Sequence, residues 1–258
     1  MGEIKNKYFR LISRLDIKNE NLIKGIHLEG LRVLGNPNTF AKDYYNNGID
    51  EIYYQDAVAS LYGRNSLEKI VEKTIEEVFV PITIGGGIRS LNDAAKLFSN
   101  GADKISINSA AVKNPNLISE MSACFGSQSI VVSIDAKKIF ANKWEVYVEN
   151  GREKTGLDVF EWLKIIIEKG AGEIIITSID KEGTMRGCDV ELIKKISEIS
   201  TIPVIASGGV GKIDHIIELL KNTEIEGLAI ASSIHYKKIN LDETKRAIKN
   251  LRKVRFDY

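Results

Sequence analysis

The chain repeats itself, and the spacing of the repeat limits what it can fold into. Val80-Pro-Ile-Thr-Ile-Gly-Gly-Gly-Ile88 matches Ile202-Pro-Val-Ile-Ala-Ser-Gly-Gly-Val210 without a gap, at an offset of 122 residues. Leu15-Asp16-Ile17-Lys18 matches Ile134-Asp135-Ala136-Lys137 at 119, Glu51 matches Glu173 at 122, and Ser109 matches Ser232 at 123. Four matches near one spacing mark a duplicated unit. Short apolar runs recur between amphipathic segments, with eight candidate strands: Phe9–Leu15, Ile52–Gln55, Pro81–Ile84, Lys104–Ile107, Ser129–Ile134, Glu173–Thr177, Pro203–Ala206 and Leu228–Ala231. Leu67–Val78, Leu91–Phe98, Leu157–Lys169 and Val190–Ile199 carry the helical period between them. Strand–helix alternation specifies a parallel sheet. Two four-strand halves in 258 residues specify a closed (β/α)8 TIM barrel, a fold of roughly 250 residues. One domain over residues 1–258 is expected, with half-repeats of about 1–125 and 126–258. An open doubly wound sheet is the alternative. Trp144–Val148, ahead of Asn150-Gly151, reads as an extra hairpin after strand five.

Composition removes several classes of function. Lys and Arg total 36 against 35 Asp and Glu, a net charge of +1, without the basic excess that binding to nucleic acid or an anionic membrane requires. No run approaches the ~18 apolar residues of a membrane span, and Met1–Arg10 lacks the apolar stretch of a signal peptide. The two cysteines, Cys124 and Cys188, stand far apart, and His27, His215 and His235 are scattered. A disulfide framework and a Cys- or His-based metal site are therefore not expected, and a cytoplasmic setting is. Cys124 is assigned to core packing, Cys188 to a loop, and His235 to a structural role.

In barrels of this kind chemistry sits at the C-terminal ends of the strands. Asp16 and Asp135 end strands one and five, so the repeat sets them opposite each other across the mouth. Two carboxylates in a partly dry mouth can hold different proton affinities, one serving as acid and one as base. Gly85-Gly86-Gly87 and Ser207-Gly208-Gly209 follow strands three and seven, and Asn108-Ser109 and Ala231-Ser232 follow strands four and eight. Loops poor in side chains expose backbone N–H groups, and a helix starting just beyond them adds its positive end. Each half thus supplies one phosphate cradle, and two cradles on opposite rims suit an elongated substrate with a phosphate at each end. Strand parity puts Arg10, Ile12, Arg14 and Asp16 on one inward face. Glu51, Lys104 and Glu173 open strands two, four and six, and with Arg10 they make either an alternating-charge ring at the barrel bottom or an ordinary solvated rim.

These residues resemble one family over essentially the whole chain: the cyclase subunit of imidazole glycerol phosphate synthase, from histidine biosynthesis. The resemblance rests on Leu-Asp-Ile-Lys (15–18), Leu-Ile-Lys-Gly (22–25), Gly-Ile-Asp-Glu (48–51), Gly-Gly-Gly-Ile (85–88), Gly-Ala-Asp-Lys-Ile-Ser-Ile-Asn (101–108), Phe-Gly-Ser-Gln (125–128), Ile-Asp-Ala-Lys (134–137), Gly-Ala-Gly-Glu-Ile (170–174), Thr-Ser-Ile-Asp (177–180) and Ile-Ala-Ser-Gly-Gly (205–209). It implies a carbon–nitrogen lyase or synthase whose catalytic aspartates are Asp16 and Asp135. A mobile loop after strand one (19–35) would bring Lys24 to the substrate. Phosphate and substrate contacts would fall on Gly86, Gly87, Asn108, Ser109, Thr177, Glu182, Gly183, Ser207, Gly208, Gly209, Ala231 and Ser232. Arg10, Glu51, Lys104 and Glu173 would gate ammonia entering from a glutamine amidotransferase docked at the barrel bottom, in a heterodimer. The implied reaction joins ammonia to a ribulosyl aminoimidazole carboxamide bisphosphate and yields imidazole glycerol phosphate and aminoimidazole carboxamide ribotide (AICAR). No metal or organic cofactor is implied.

The chain also departs from the family pattern, chiefly at the mouth. Ser13-Arg14 stands where Pro-Cys is usual, Asn19-Glu20-Asn21 where Asp-Gly-Arg is usual, and Glu182 where an Asp is usual; the run Gln55–Arg64 differs as well. A guanidinium at position 14 would hold Asp16 ionised, narrow the ammonia route or meet an anionic substrate group. Departures at the mouth beside a matching bottom ring support an alternative, a paralogue that amidates a nucleotide sugar for surface polysaccharide. The histidine-pathway sugar isomerase, a sister barrel, has no use for the bottom ring. A non-catalytic scaffold that only activates a glutaminase has no use for two carboxylates.

Overall fold

In the computed structural model, which describes residues 8–59 and 67–256, eight parallel strands close into a barrel. In chain order the strands are β1 (Arg10–Lys18), β2 (Asn21–Ile26), β3 (Glu29–Gly35), β4 (Glu51–Asp56), β5 (Ile82–Gly85), β6 (Lys104–Ile107), β7 (Ile130–Phe140), β8 (Lys143–Val148), β9 (Glu153–Asp158), β10 (Glu173–Ser178), β11 (Val204–Ser207) and β12 (Gly227–Ile230). The barrel runs β1-β4-β5-β6-β7-β10-β11-β12 and closes where β12 pairs with β1. The other four strands are antiparallel extensions: β2 and β3 continue from β1, and β8 and β9 from β7. Of the sequence features discussed above, Ser60–Arg64 of the divergent run, the first seven residues and the last two lie outside the described residues.

Each of the eight expected strands appears, six of them within a residue of the expected ends, while β1 runs three residues further, to Lys18, and β7 six further, to Phe140. Strand alternation divides the apolar residues into two cores. Outward-facing Leu11, Leu15, Ile52, Tyr54, Ile82, Ile84, Ile105, Val132 and Ile174 pack beneath the helices. Inward-facing Ile12, Tyr53, Val131, Ile175, Ile205 and Ala229 fill the middle of the barrel. The four helices read from the sequence are present as Glu68–Ile75, Leu91–Ser99, Val159–Glu168 and Val190–Ile199. Side-chain caps start several helices: Asn36, Ser90, Asp158, Asp189 and Asn240 each accept from backbone N–H groups of the first turn. Such a cap contributes about 1 kcal/mol.

Two expectations need correction. The segment after strand one, expected as a loop, carries regular structure, the β2–β3 hairpin. Cys124 is exposed rather than packed in the core, because it lies on the solvent face of helix Asn116–Phe125, whose buried face is Leu117, Ile118 and Met121. The described part of the tail is anchored: Phe9 N donates to Lys253 O (2.8 Å), Arg252 donates to the Leu220 and Thr223 carbonyls, and Val254 is buried. The last helix is Leu241–Ile248.

The backbone follows the repeat closely at the mouth. Gly86 and Gly208 have φ of 98° and 99°, and Gly87 and Gly209 of 73° and 93°. Asn108 (φ −129°, ψ −85°) and Ala231 (φ −129°, ψ −88°) share one unusual conformation. Glycine is required at 209 for two reasons. Its φ is positive, and an added Cβ would lie 2.1 Å from the Gly187 carbonyl oxygen. Gly209→Ala is expected to destabilise by more than about 3 kcal/mol. Gly30→Ala, at φ 62° with open space around it, should cost about 1 kcal/mol. Equal losses in chemical denaturation would refute this account.

Candidate active site

At the N-terminal end of the barrel the four residues of the expected ring meet. Arg10 Nη1 donates to Glu51 Oε2 (2.9 Å), and its other terminal nitrogen donates to Glu173. Lys104 Nζ spans both carboxylates, at 3.1 Å from Glu51 and 2.9 Å from Glu173, and Thr83 Oγ1 donates to Glu51 Oε1 (2.6 Å). The anions are buried while the cations keep partial exposure. Burial works against the Glu173 anion, but Arg10 and Lys104 outweigh it and hold its carboxyl below the ordinary glutamate value.

Above the ring lies the apolar layer, and above that the inward side of β1 carries Arg14 and then Asp16, as parity requires. Arg14 is 3% exposed. Its Nε donates to Asp16 Oδ1 (2.9 Å), and Nη1 donates to Thr177 Oγ1 (2.8 Å) and more weakly to Ser207 Oγ (3.4 Å). The guanidinium carbon lies 5.8 Å from the centre of the Tyr53 ring. The second oxygen of Asp16 accepts from Lys24 Nζ (2.6 Å), which also bonds Glu182. Burial alone would raise the Asp16 pKa, but Lys24 and Arg14 overturn that and hold it well below the carboxylate range.

Asp135 has a different environment. Asn108 Nδ2 donates to its Oδ2 (2.9 Å), and the side chain borders a cavity of about 250 Å³. Burial lifts the carboxyl from 3.8 to about 6; Arg14 opposes the rise, and Glu182 and Asp16 add to it. The two carboxylates that the repeat makes equivalent therefore differ sharply in proton affinity.

The remaining expected residues fall into two groups. Gly86, Gly87, Asn108 and Ser109 line the 250 Å³ cavity with Asp135 and Arg14, and Arg89 and Lys113 add cationic wall. Glu182, Gly183, Gly208, Gly209, Ala231 and Ser232 border a second space of only about 10 Å³. The β2–β3 hairpin closes this second space: His27 N donates to Glu182 O (2.9 Å), His27 Nδ1 donates to Ile179 O (2.8 Å), and Lys24 reaches Glu182. Thr177 and Ser207 hold Arg14. The helices that follow Asn108 and Ala231 have five and four residues. They are too short for much of a macrodipole, so loop N–H groups are what a phosphate would meet there.

Sequence reasoning missed Tyr53, whose hydroxyl donates to Ser106 Oγ (3.2 Å) inside the barrel. It also missed the role of Glu149, whose backbone N–H donates to Ser109 Oγ (3.0 Å). Tyr53 was the more accessible of the two, because it shares the inward parity of Glu51. His235 is buried, its Nδ1 is 2.6 Å from Tyr44 Oη, and burial takes its pKa down to about 3, in keeping with a structural role.

A closed parallel barrel with two buried carboxylates at its C-terminal mouth, set between glycine-lined loops, has the architecture of a barrel enzyme with its site at the strand ends. Residues 10–240 match the family model described as "Histidine biosynthesis protein". A protein of Legionella pneumophila named imidazole glycerol phosphate synthase subunit HisF is 60% identical over 205 residues, 80% of this chain and 97% of that protein. A protein of the same name from Bacillus cereus (strain Q1) is 46% identical over 241 residues, 93% of this chain and 96% of that protein. The chain belongs to this histidine biosynthesis family, among its HisF subunits. These relatives do not favour the nucleotide-sugar alternative. No described helix is long and apolar enough to cross a membrane.

The raised Asp135 carboxyl links stability to pH. Its native pKa of about 6 lies above the unfolded 3.8, so its contribution is complete below about pH 4 and is lost as pH rises through 6. Above that range the buried anion opposes folding by about 3 kcal/mol. Asp135→Asn should therefore be more stable than the parent at pH 8, by up to that amount, and no more stable at pH 4. Urea unfolding at the two pH values decides, and a gain of equal size at both would contradict the assignment.

Proposed function

We propose that the chain is the ammonia-using cyclase subunit of imidazole glycerol phosphate synthase. It would convert a ribulosyl aminoimidazole carboxamide bisphosphate and ammonia to imidazole glycerol phosphate, AICAR and water. The observation that carries this reading is the pairing of Asp16 and Asp135 at the mouth with a proton affinity tuned to neutral pH on one side. Ammonia adding to the ribulosyl carbonyl must lose a proton from nitrogen while oxygen gains one and leaves as water. Ring closure and cleavage of the C–N bond to AICAR again move protons between nitrogens. Neither step needs more than positioned carboxyl groups and an anion-binding frame.

Gly86, Gly87, Asn108 and Ser109 would hold one phosphate, with Arg89 and Lys113 near. Gly208, Gly209, Ala231 and Ser232 would hold the other once the β2–β3 hairpin with Lys24 lifts from Glu182 and Gly183. Thr177 and Ser207 would frame the reacting carbons. The ring of Arg10, Glu51, Lys104 and Glu173 would admit ammonia from a glutamine amidotransferase docked on the barrel bottom.

The test supplies the purified chain with ammonium salt and the bisphosphate and follows loss of substrate absorbance. Turnover is expected, and Asp16→Asn and Asp135→Asn should each lower it by about 10²- to 10⁴-fold. Folded protein without turnover would overturn the reading. With a glutaminase partner supplied, Lys104→Met should lower glutamine-driven turnover several-fold more than ammonium-driven turnover. Equal losses would remove the ring from the ammonia route.

A further inference from the structure

We propose that Arg14 is a positioning residue that divides the work between the two carboxylates, holding Asp16 as a fixed anion and leaving Asp135 as the one of the pair that exchanges protons with substrate. The inference rests on the acid–base role given to the pair above. Its basis is a break in the repeat: Asp16 and Asp135 are equivalent, but two residues earlier β1 carries Arg14 where β7 carries Ser133. The guanidinium fills the space beside Asp16, whereas Ser133 leaves room beside Asp135, and the cavity of about 250 Å³ is lined by Ser133 and Asp135 together with Arg14 and the loops around Gly86 and Asn108.

The hydrogen bonds follow the same division. Both Asp16 oxygens are engaged by cations, Oδ1 by Arg14 at 2.9 Å and Oδ2 by Lys24 at 2.6 Å, and Asp16 does not line the cavity. Asp135 does line it and takes its side-chain hydrogen bond from a neutral amide, Asn108. Arg14 is held in place on the far side by Thr177 and Ser207, with the Tyr53 ring beside it.

The charges around the pair come from several elements. Arg14 (β1) and Lys24 (β2) face Asp16 and Glu182, two cations against two anions. Tyr53 (β4) lies beside Arg14, and Asp56, Arg89, Lys113 and Glu149 stand on the cavity wall. Asp135 is the additional carboxyl, with only a share of the Arg14 field, and burial lifts it to about 6. One such carboxyl is sufficient. Each addition or elimination puts one proton on the departing or receiving atom and takes one from nitrogen, so Asp135 ends every step as it began.

The test is a 13C NMR titration of the aspartate carboxyls in the free protein, assigned with Asp16→Asn and Asp135→Asn. The parent should show Asp135 titrating near 6 and Asp16 ionised throughout the range above pH 4. In Arg14→Gln the Asp135 midpoint should rise by about one unit or more, and Arg14→Lys should bring it back toward the parent. The pH profile of kcat should move in the same direction, with KM less affected.

Joint titration of Asp16 with Asp135 in the parent would overturn the proposal, and so would an unmoved midpoint in Arg14→Gln. Should that variant not fold, the parent titration still decides. The titrations need no substrate. A chain that fails to turn over the bisphosphate would therefore overturn the proposed reaction and leave the proposed role of Arg14 to be judged on its own.

Discussion

Closing eight strands creates an interior that reaches water only at its two ends, and every charge placed inside must find a partner there. The chain places charge at both ends and an apolar layer between them. At the bottom, Arg10 and Lys104 alternate with Glu51 and Glu173, so each ion touches two of opposite sign and the set is neutral. At the top, Arg14 and Lys24 both meet Asp16, and Lys24 also meets Glu182, so two cations answer two anions. Asp135 lies outside both sets. Its burial without a cation of its own sets its proton affinity apart, with the Asn108 amide as its hydrogen-bond partner and a cavity beside it that Ser133 helps to line.

The top network also explains why the two sets of glycine loops differ although their backbones match. Lys24 ties β2 to both Asp16 and Glu182, and His27 adds two hydrogen bonds to the same loop. The hairpin is thus fastened over the cradle of the second half. Among the described residues the first half has no such fastening, and a cavity of about 250 Å³ stands beside Gly86 and Asn108. On the proposed function, the second phosphate of a long substrate would be seated only once the Lys24 contacts were exchanged for contacts with substrate. Opening of the mouth and release of Asp16 from one of its two cations would then be one event.

What the sequence revealed, and what it hid, divides along physical lines. Parity along β1 places Arg10, Arg14 and Asp16 on one face, because period-two alternation survives in any strand. The repeat places Glu51 opposite Glu173, and the ring follows. The β2–β3 hairpin was hidden because Asn21–Gly35 alternates poorly, contains two glycines before its last residue and pairs with two register shifts. The ion pairs of Lys24 were hidden for a related reason: they depend on the angle at which the hairpin folds back, which no local pattern encodes. Cys124 was misassigned because a cysteine beside apolar residues resembles a core residue until the helix is turned to face its neighbours.

The strongest asymmetry in the molecule comes from a side chain rather than from the backbone. Gly86 and Gly208, and Asn108 and Ala231, keep matching dihedrals across about 122 residues, so the duplicated frame by itself would give two equal carboxylates. Two equal buried acids facing each other would share protons and titrate as a pair. A single arginine on β1, opposite a serine on β7, separates them by adding a cation that lies against one carboxylate and reaches the other only through space. The frame fixes where the carboxyls stand, and the residue two positions before each one decides whether it can act as acid or base near neutral pH.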